Sequence, residues 1–260
     1  SFSLCFDKNT LIKLNSGTDV NISGIKVGDK LFDDSIVTGT MTLLRRSAPM
    51  YKLNGVTVTG NHIIYNPKLG WIPVERHPGA ELLTNYDEKF VYCLNTSTKA
   101  IRVNGMIFSD WDELDDDDLE RLGEKCLDLP RDFKIKDINR LVDNGLVGET
   151  LIKLKSPNLG NDANMIELRD VAPGDVLATG EIVTGVMKIN ATDKQIVRYV
   201  FNNYSIEGYN VKFVKEPLGV KLDSLKTPDI LYHMITNTGN FTVGNISVKH
   251  YNAAIEDCLK

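Results

Sequence analysis

The sequence predicts an all-β protein, built as two copies of one β module joined by a short acidic helical connector. Three observations carry this reading. A run that opens at Cys5 returns, altered, from Gly145. Most of each copy breaks into short segments rich in β-branched and aromatic residues, separated by turn signals. Between the copies the pattern changes to acidic residues at helical spacing.

The repeat comes first, because it decides how every other segment is read. The first copy begins Cys5-Phe6-Asp7-Lys8-Asn9-Thr10-Leu11-Ile12-Lys13-Leu14 and continues through Val27-Gly28-Asp29-Lys30-Leu31 to Ile36-Val37-Thr38-Gly39-Thr40-Met41. The second runs from Gly145 to Thr150-Leu151-Ile152-Lys153-Leu154, then Pro173-Gly174-Asp175-Val176-Leu177 and Ile182-Val183-Thr184-Gly185-Val186-Met187. Ala48-Pro49-Met50-Tyr51-Lys52-Leu53 is answered by Ile196-Val197-Arg198-Tyr199-Val200, and Thr59-Gly60-Asn61-His62 falls on Glu207-Gly208-Tyr209-Asn210. Tyr92-Cys93-Leu94 through Gly105-Met106-Ile107 then pairs without a gap with Tyr232-His233-Met234 through Asn245-Ile246-Ser247. A lone Gly-Asp match is weak; a series of blocks in one order is strong.

Strands are expected over residues 10–14, 36–43, 51–58, 62–65, 90–94 and 100–108, set off by Asn-Ser-Gly, Val-Gly-Asp, Asn-Gly and Thr-Gly turns. Many short strands at close spacing favour a closed or strongly coiled β unit over a sheet of alternating strands and helices. Trp111, Leu114, Leu119 and Leu122 give the acidic stretch an apolar face. Residues 132–142 repeat the helical spacing before Asp143-Asn144-Gly145 ends it. The acidic run lacks the alternating Asp/Asn positions, glycine turn and distal Glu of a calcium loop, so it reads as a solvated helix face. No metal and no cofactor are expected. The expected organisation is a stub at 1–4, a first module at 5–111, the connector at 112–144 and a degenerate module at 145–260.

Composition excludes several classes. With 42% apolar residues the chain can fill ordinary cores. No stretch approaches the roughly 18 consecutive apolar residues of a membrane span, and no leader of the secretory type opens the chain; residues 1–4 read as the stub of a longer upstream segment. A net charge of −5 without a basic stripe argues against a nucleic-acid partner. The four cysteines form neither a CxxC pair nor a disulfide framework, which favours free thiols in a reducing, cytoplasmic setting, with secretion left open. A monomer is expected.

Cys5 opens the first module, Thr59-Gly60-Asn61-His62 lies further on, and Tyr92-Cys93-Leu94 precedes Asn104-Gly105-Met106-Ile107-Phe108. This constellation resembles the Hint family of hedgehog and intein autoprocessing domains. The opening block is carried by Cys5-Phe6 with Thr10, Gly17 and Gly28-Asp29, the second by Thr59 and His62, and the closing one by the strand around Tyr92 and the run from Asn104. The resemblance covers 5–111 and, more faintly, 145–252.

The resemblance implies self-cleavage of the Leu4–Cys5 bond. An N–S acyl shift would move the Leu4 acyl group from the Cys5 nitrogen to the Cys5 sulfur, with proximity supplying much of the rate. His62 is the implied general acid, since a group titrating near neutrality can both take and give the proton. Thr59 would bind the oxyanion or hold the imidazole, and Asn61 would add a donor. Cys93 is a candidate internal nucleophile at a position where many relatives carry an aspartate; a buried strand cysteine is the alternative. The implied partners are the covalently attached upstream polypeptide and an external nucleophile.

The chain departs from the splicing pattern, which ends in His-Asn followed by Cys, Ser or Thr. Here Ser109-Asp110 is followed by Trp111. The second copy offers Lys249-His250-Tyr251-Asn252-Ala253, in which Ala253 cannot accept an acyl group. Cleavage without splicing is therefore expected. The alternatives are a non-catalytic tandem binding or spacer protein, and a single large intein ending near Asn252 or Asp257.

Overall fold

The computed structural model describes residues 4–125, 134–155 and 164–259. The chain divides into two compact units, the first within residues 4–124 and the second from 137 onward. The expected stub is described only at Leu4, and Cys126 lies outside the described residues.

The first unit holds β1 (Leu11–Lys13), β2 (Asp19–Asn21), β3 (Val37–Leu44), β4 (Met50–Leu53), β5 (Val56–Thr59) and β6 (Ile63–Asn66). It continues with β7 (Gly70–Pro73), β8 (Glu81–Leu82), β9 (Phe90–Thr96), β10 (Ala100–Val103) and β11 (Met106–Ser109). The helices α1 (Asp116–Lys125) and α2 (Ile135–Val142) follow. The second unit then forms β12 (Gly145–Leu146), β13 (Leu151–Lys153), β14 (Met165–Glu167), β15 (Val183–Asn190), β16 (Val197–Val200) and β17 (Ser205–Tyr209). It closes with β18 (Gly219–Leu222), β19 (Ile230–Thr236), β20 (Asn240–Val243), β21 (Ile246–Lys249) and α3 (Ala253–Leu259). The fold is all-β, with helices at the connector and at 253–259.

Local chemistry sets these boundaries. The expected strands over 51–58 and 100–108 are each two strands. Asn54-Gly55 and Asn104-Gly105 take positive φ at both residues (47° and 77°, 48° and 78°). That is the two-residue hairpin geometry whose twist matches the flanking strands, so β4 folds back on β5 and β10 on β11. The acidic connector starts its helix later than the apolar spacing suggested. Asp115 accepts from the Asp118 N–H at 2.8 Å while Asp118 accepts from the Asp115 N–H at 3.3 Å, a reciprocal cap that fixes α1 at residue 116.

In the first unit the ladder runs β8–β4–β5, then Phe6, then β9–β3, with Phe6 bridging Val58 and Tyr92. In the second it runs β18–β16–β17–β12–β19–β15. The order is the same, with Leu146 of β12 bridging Gly208 and Tyr232 as Phe6 bridges Val58 and Tyr92. Single hydrogen bonds repeat as well. Gly28 N–H donates to Val37 O at 2.8 Å, and Gly174 N–H to Val183 O at 2.7 Å. Asp29 and Asp175 each accept, at 2.9 Å, from the N–H three residues before them. The β3–β9 pair shifts register between Val37 and Gly39, and the β15–β19 pair between Val183 and Gly185. Trp111 N–H donates to Leu94 O at 3.0 Å, and Tyr251 N–H to Met234 O at 3.1 Å.

Each unit has its own core. Alternating burial along β3 sends Val37, Met41 and Leu43 inward, with Phe6, Leu94, Ile101 and Phe108 also buried in the first unit. Ile152, Val183, Met234, Phe241 and Val248 lie in the core of the second. A large side chain removed from water contributes about 1.5–3 kcal/mol. The units differ after β5 and β17. The hairpin of β6 and β7 extends the β10–β11 pair in the first. In the second, among the described residues, Phe213 makes one bridge to Val248 and the chain proceeds to β18.

Candidate active site

Cys5 precedes the central bridge of the first unit and is fully buried. Its amide N–H, the nitrogen of the Leu4–Cys5 bond, donates to Thr59 Oγ1 at 2.9 Å. Its carbonyl accepts from the Thr59 N–H at 2.8 Å, so one residue of β5 holds both sides of Cys5. Thr59 therefore contacts the nitrogen that would depart, whereas the resemblance implied the oxyanion or the imidazole.

His62 follows in the turn after β5, its N–H donating to Thr59 O at 3.2 Å. Gly60 makes that turn possible, because a Cβ there would lie 2.4 Å from the Tyr51 ring. The imidazole is fully buried against Phe6 (ring centroids 4.7 Å apart) and Phe108 (5.5 Å). Nε2 lies 2.8 Å from Ser109 O. A carbonyl only accepts, so Nε2 carries the proton and Nδ1 the lone pair. Nδ1 has no hydrogen-bond partner among the described residues. Burial lowers the His62 pKa to about 4 against the pull of the Ser109 carbonyl, so the ring is neutral at neutral pH. In this state His62 can take a proton before it can give one, which narrows its expected role as acid. Asn61 is half-buried in the same turn.

Cys93, on β9, is buried directly opposite Cys5: the Phe6–Tyr92 bridge fixes that register. The Cys93 thiol donates to Leu94 O at 3.7 Å. Burial raises the Cys5 pKa well above the usual thiol range, and a hydrogen bond to Cys93 adds to this, so Cys5 rests as a thiol.

Three further residues, which the motifs did not single out as a group, form a buried ionic cluster at the end of the module. Lys99 Nζ lies 2.8 Å from Asp110 Oδ2 and 2.5 Å from Asp112 Oδ2, all three side chains being almost wholly buried. Burial works against the ammonium, but the two carboxylates outweigh it and keep Lys99 charged. Burial pushes Asp110 up to about 6 despite Lys99. Asp110 also accepts from the Thr96 and Asp112 N–H groups, both at 3.1 Å. The signal was present in Ser109-Asp110-Trp111-Asp112, but the lysine lies at the far end of the β10–β11 hairpin, before β10.

In the second unit β12 pairs Gly145 with Tyr209, and Val147 N–H donates to Glu207 O as Asp7 N–H donates to Thr57 O. Tyr209 therefore stands at the place of Thr59, and Glu207 at that of Thr57. Phe213 bridges Val248 as Ile64 pairs with Phe108, which brings Val211 to the place of His62. The match of Thr59 to Glu207 and His62 to Asn210 is thus corrected, the second turn being one residue shorter. The two glycines that suggested it serve different contacts: a Cβ at Gly208 would lie 2.4 Å from Gly145 O, not against a tyrosine ring. The corrected positions supply neither a threonine nor an imidazole. Instead Tyr209 Oη donates to Arg140 O at 2.5 Å, and Asn210 Nδ2 donates to Leu141 O at 2.6 Å and Asp143 O at 3.2 Å. They satisfy carbonyls that the end of α2 leaves open.

No group of three or more His, Cys, Asp or Glu among the described residues could hold a metal ion. No helix among them is long and apolar enough to cross a membrane. No protein-family model and no curated protein matches the chain. Among solved structures it is similar to a bacterial intein-like domain from Clostridium thermocellum, at 16% identity over 42% of this chain and 99% of that one, with a TM-score of 0.35. It is also similar to a DnaB intein from Synechocystis sp. PCC 6803, at 15% identity over 42% of this chain and 99% of that one, with a TM-score of 0.27.

Proposed function

We propose that the first unit is a self-processing domain of the Hint type that cleaves the Leu4–Cys5 peptide bond and does not splice, and that the second is a degenerate copy retained as scaffold. The observation that carries this reading is the hydrogen bond from the Cys5 amide N–H to Thr59 Oγ1. It fixes against Thr59 the one nitrogen that must leave, on the same residue whose thiol must attack.

The Cys5 thiol gives up its proton, for which the lone pair of neutral His62 is the base, and the sulfur attacks the Leu4 carbonyl carbon. The C–S bond forms as the carbonyl electrons move to oxygen. The proton returns from His62 to the Cys5 nitrogen, the C–N bond breaks, and a thioester with a free Cys5 amine results. Water or an external thiol then attacks the thioester, releasing the Leu4 carboxylate or a new thioester and restoring the Cys5 thiol. Cys93, opposite Cys5, is the internal group positioned to receive the acyl chain, and Asn61 a further polar side chain in the turn. Splicing lacks its usual groups: Asp110 replaces the asparagine that would cyclise and is engaged by Lys99, and Trp111 offers no nucleophile.

The test is the N-terminal sequence and mass of the product from the full chain under reducing conditions. Cys5→Ala should abolish release. Release from Cys5→Ala at the native rate would sink the proposal.

A further inference from the structure

Cys5 and Cys93 face one another across an antiparallel pair whose geometry is defined. Phe6 N–H donates to Tyr92 O at 2.7 Å and Tyr92 N–H to Phe6 O at 2.9 Å, so these two residues form the hydrogen-bonded pair. Antiparallel ladders alternate, which makes the next pair, Cys5 against Cys93, the non-hydrogen-bonded kind. The Cys5 carbonyl accordingly turns the other way, to the Thr59 N–H. At such a pair the Cα atoms lie about 4.5 Å apart with both side chains on one face, and a disulfide requires Cα atoms about 4.4–6.8 Å apart. Cys5 and Cys93 are 0% and 1% exposed, and neither is in a disulfide.

We propose that Cys5 and Cys93 form a reversible disulfide that switches the self-cleaving site off under oxidising conditions. This rests on the reading of Cys5 as the nucleophile. In the disulfide the Cys5 sulfur is bonded to Cys93 and cannot attack the Leu4 carbonyl. The oxidant is a small peroxide. One thiol sulfur attacks a hydrogen peroxide oxygen, the O–O bond breaks, and a sulfenic acid and water form. The second thiol displaces the sulfenic hydroxyl as water, so two thiols and one peroxide give one disulfide and two waters. Peroxide is close to water in size. Neither partner persists in the second unit, where Gly145 faces His233. The thiol pair is found in the unit that has the nucleophile.

The test treats the full chain with hydrogen peroxide, alkylates it, digests it and maps the peptides by mass. Cleavage is followed in parallel, with a phosphine as reductant because a phosphine does not take the acyl group as a thiol would. The expected result is a Cys5–Cys93 linked peptide, cleavage slowed at least about tenfold, and full recovery with phosphine. In Cys93→Ser the linked peptide should vanish, and in excess peroxide the Cys5 sulfenic acid, with no second thiol to condense on it, should pass on to sulfinic acid, which phosphine does not reverse. A chain that cleaves when reduced yet yields no linked peptide, or links Cys5 to Cys258, overturns the switch and leaves the processing reading standing. Reversible inactivation of Cys93→Ser equal to that of the native chain also overturns it. A reduced chain that never cleaves while the linked peptide forms removes the processing reading, and the switch with it.

Discussion

At the scale of the residue, His62 carries the most physical information. Its pKa near 4 follows from burial between Phe6 and Phe108, with one carbonyl contact opposing. His62→Ala should slow thioester formation by about 10²–10⁴-fold, the range for a positioned proton-transfer group, with the fold intact by circular dichroism; an unchanged rate contradicts the assignment. Cys5 rests as a thiol and His62 is already neutral at pH 6, so the cleavage rate should climb steadily from pH 6 to 9. A pH–rate profile with an inflection near 6.5, the value of an ordinary histidine, would count against this environment. Stability carries the same signature. Between about pH 6.5 and 4 the unfolded chain takes up a proton at His62 that the folded chain does not, so stability falls as pH drops through that window, by about 3 kcal/mol. Melting curves of His62→Gln should show a flatter acid limb than the native chain. His233, lowered to about 3 by burial and by His250, adds a similar dependence in the second unit and is untouched by that variant.

At the level of the element, the turn between β9 and β10 shows how one conformation is stabilised in two ways. Lys99 sits at φ 61°, a conformation that costs a side-chain-bearing residue roughly 1–2 kcal/mol, and its ammonium pairs with Asp110 and Asp112. In the second unit Gly239 takes the same turn at φ 86° without that cost, and His250 and Asn252 stand in place of the two aspartates. Removing only the cation should strand two buried carboxylates. Lys99→Met should destabilise the chain by about 3–5 kcal/mol in denaturant titrations, and adding Asp110→Asn and Asp112→Asn should recover much of it. No recovery in the triple variant would mean that the cluster is not an isolated ionic unit. Strand composition and the Asn-Gly pairs make most of this architecture legible in the sequence, yet strand formers run on through residues 51–58 and 100–108, and composition alone does not show that an Asn-Gly pair folds each run into two strands. The cluster was not legible, because its charges meet only once β10 folds back on β11.

At the scale of the whole molecule, two units share a ladder order and many single hydrogen bonds, and differ in chemistry. The repeat was legible because turn residues such as Gly28-Asp29 and Gly174-Asp175 answer to backbone geometry, which both units keep. Register after β17 was not, since a one-residue deletion leaves a glycine in nearly the same place for another reason. Gly145 itself has become a packing requirement: a Cβ there would lie 2.9 Å from Leu231 Cβ. Gly145→Cys should therefore lower stability by about 1–3 kcal/mol and create no cleavage before residue 145, because Tyr209 and Val211 stand where Thr59 and His62 would be needed. A fragment beginning at residue 145, seen by mass, would contradict the silence of this unit.

Cleavage at Leu4–Cys5 by the Cys5 thiol is open to a single assay. The direct measurement is the intact mass of the full chain over time, with and without dithiothreitol, beside Cys5→Ala and Cys258→Ala. The expected outcome is a product beginning at Cys5, an upstream piece released as acid or thiol adduct, no reaction in Cys5→Ala and an unchanged rate in Cys258→Ala. A native chain that stays intact under both conditions, or a Cys5→Ala chain that releases the same piece at the same rate, would contradict it.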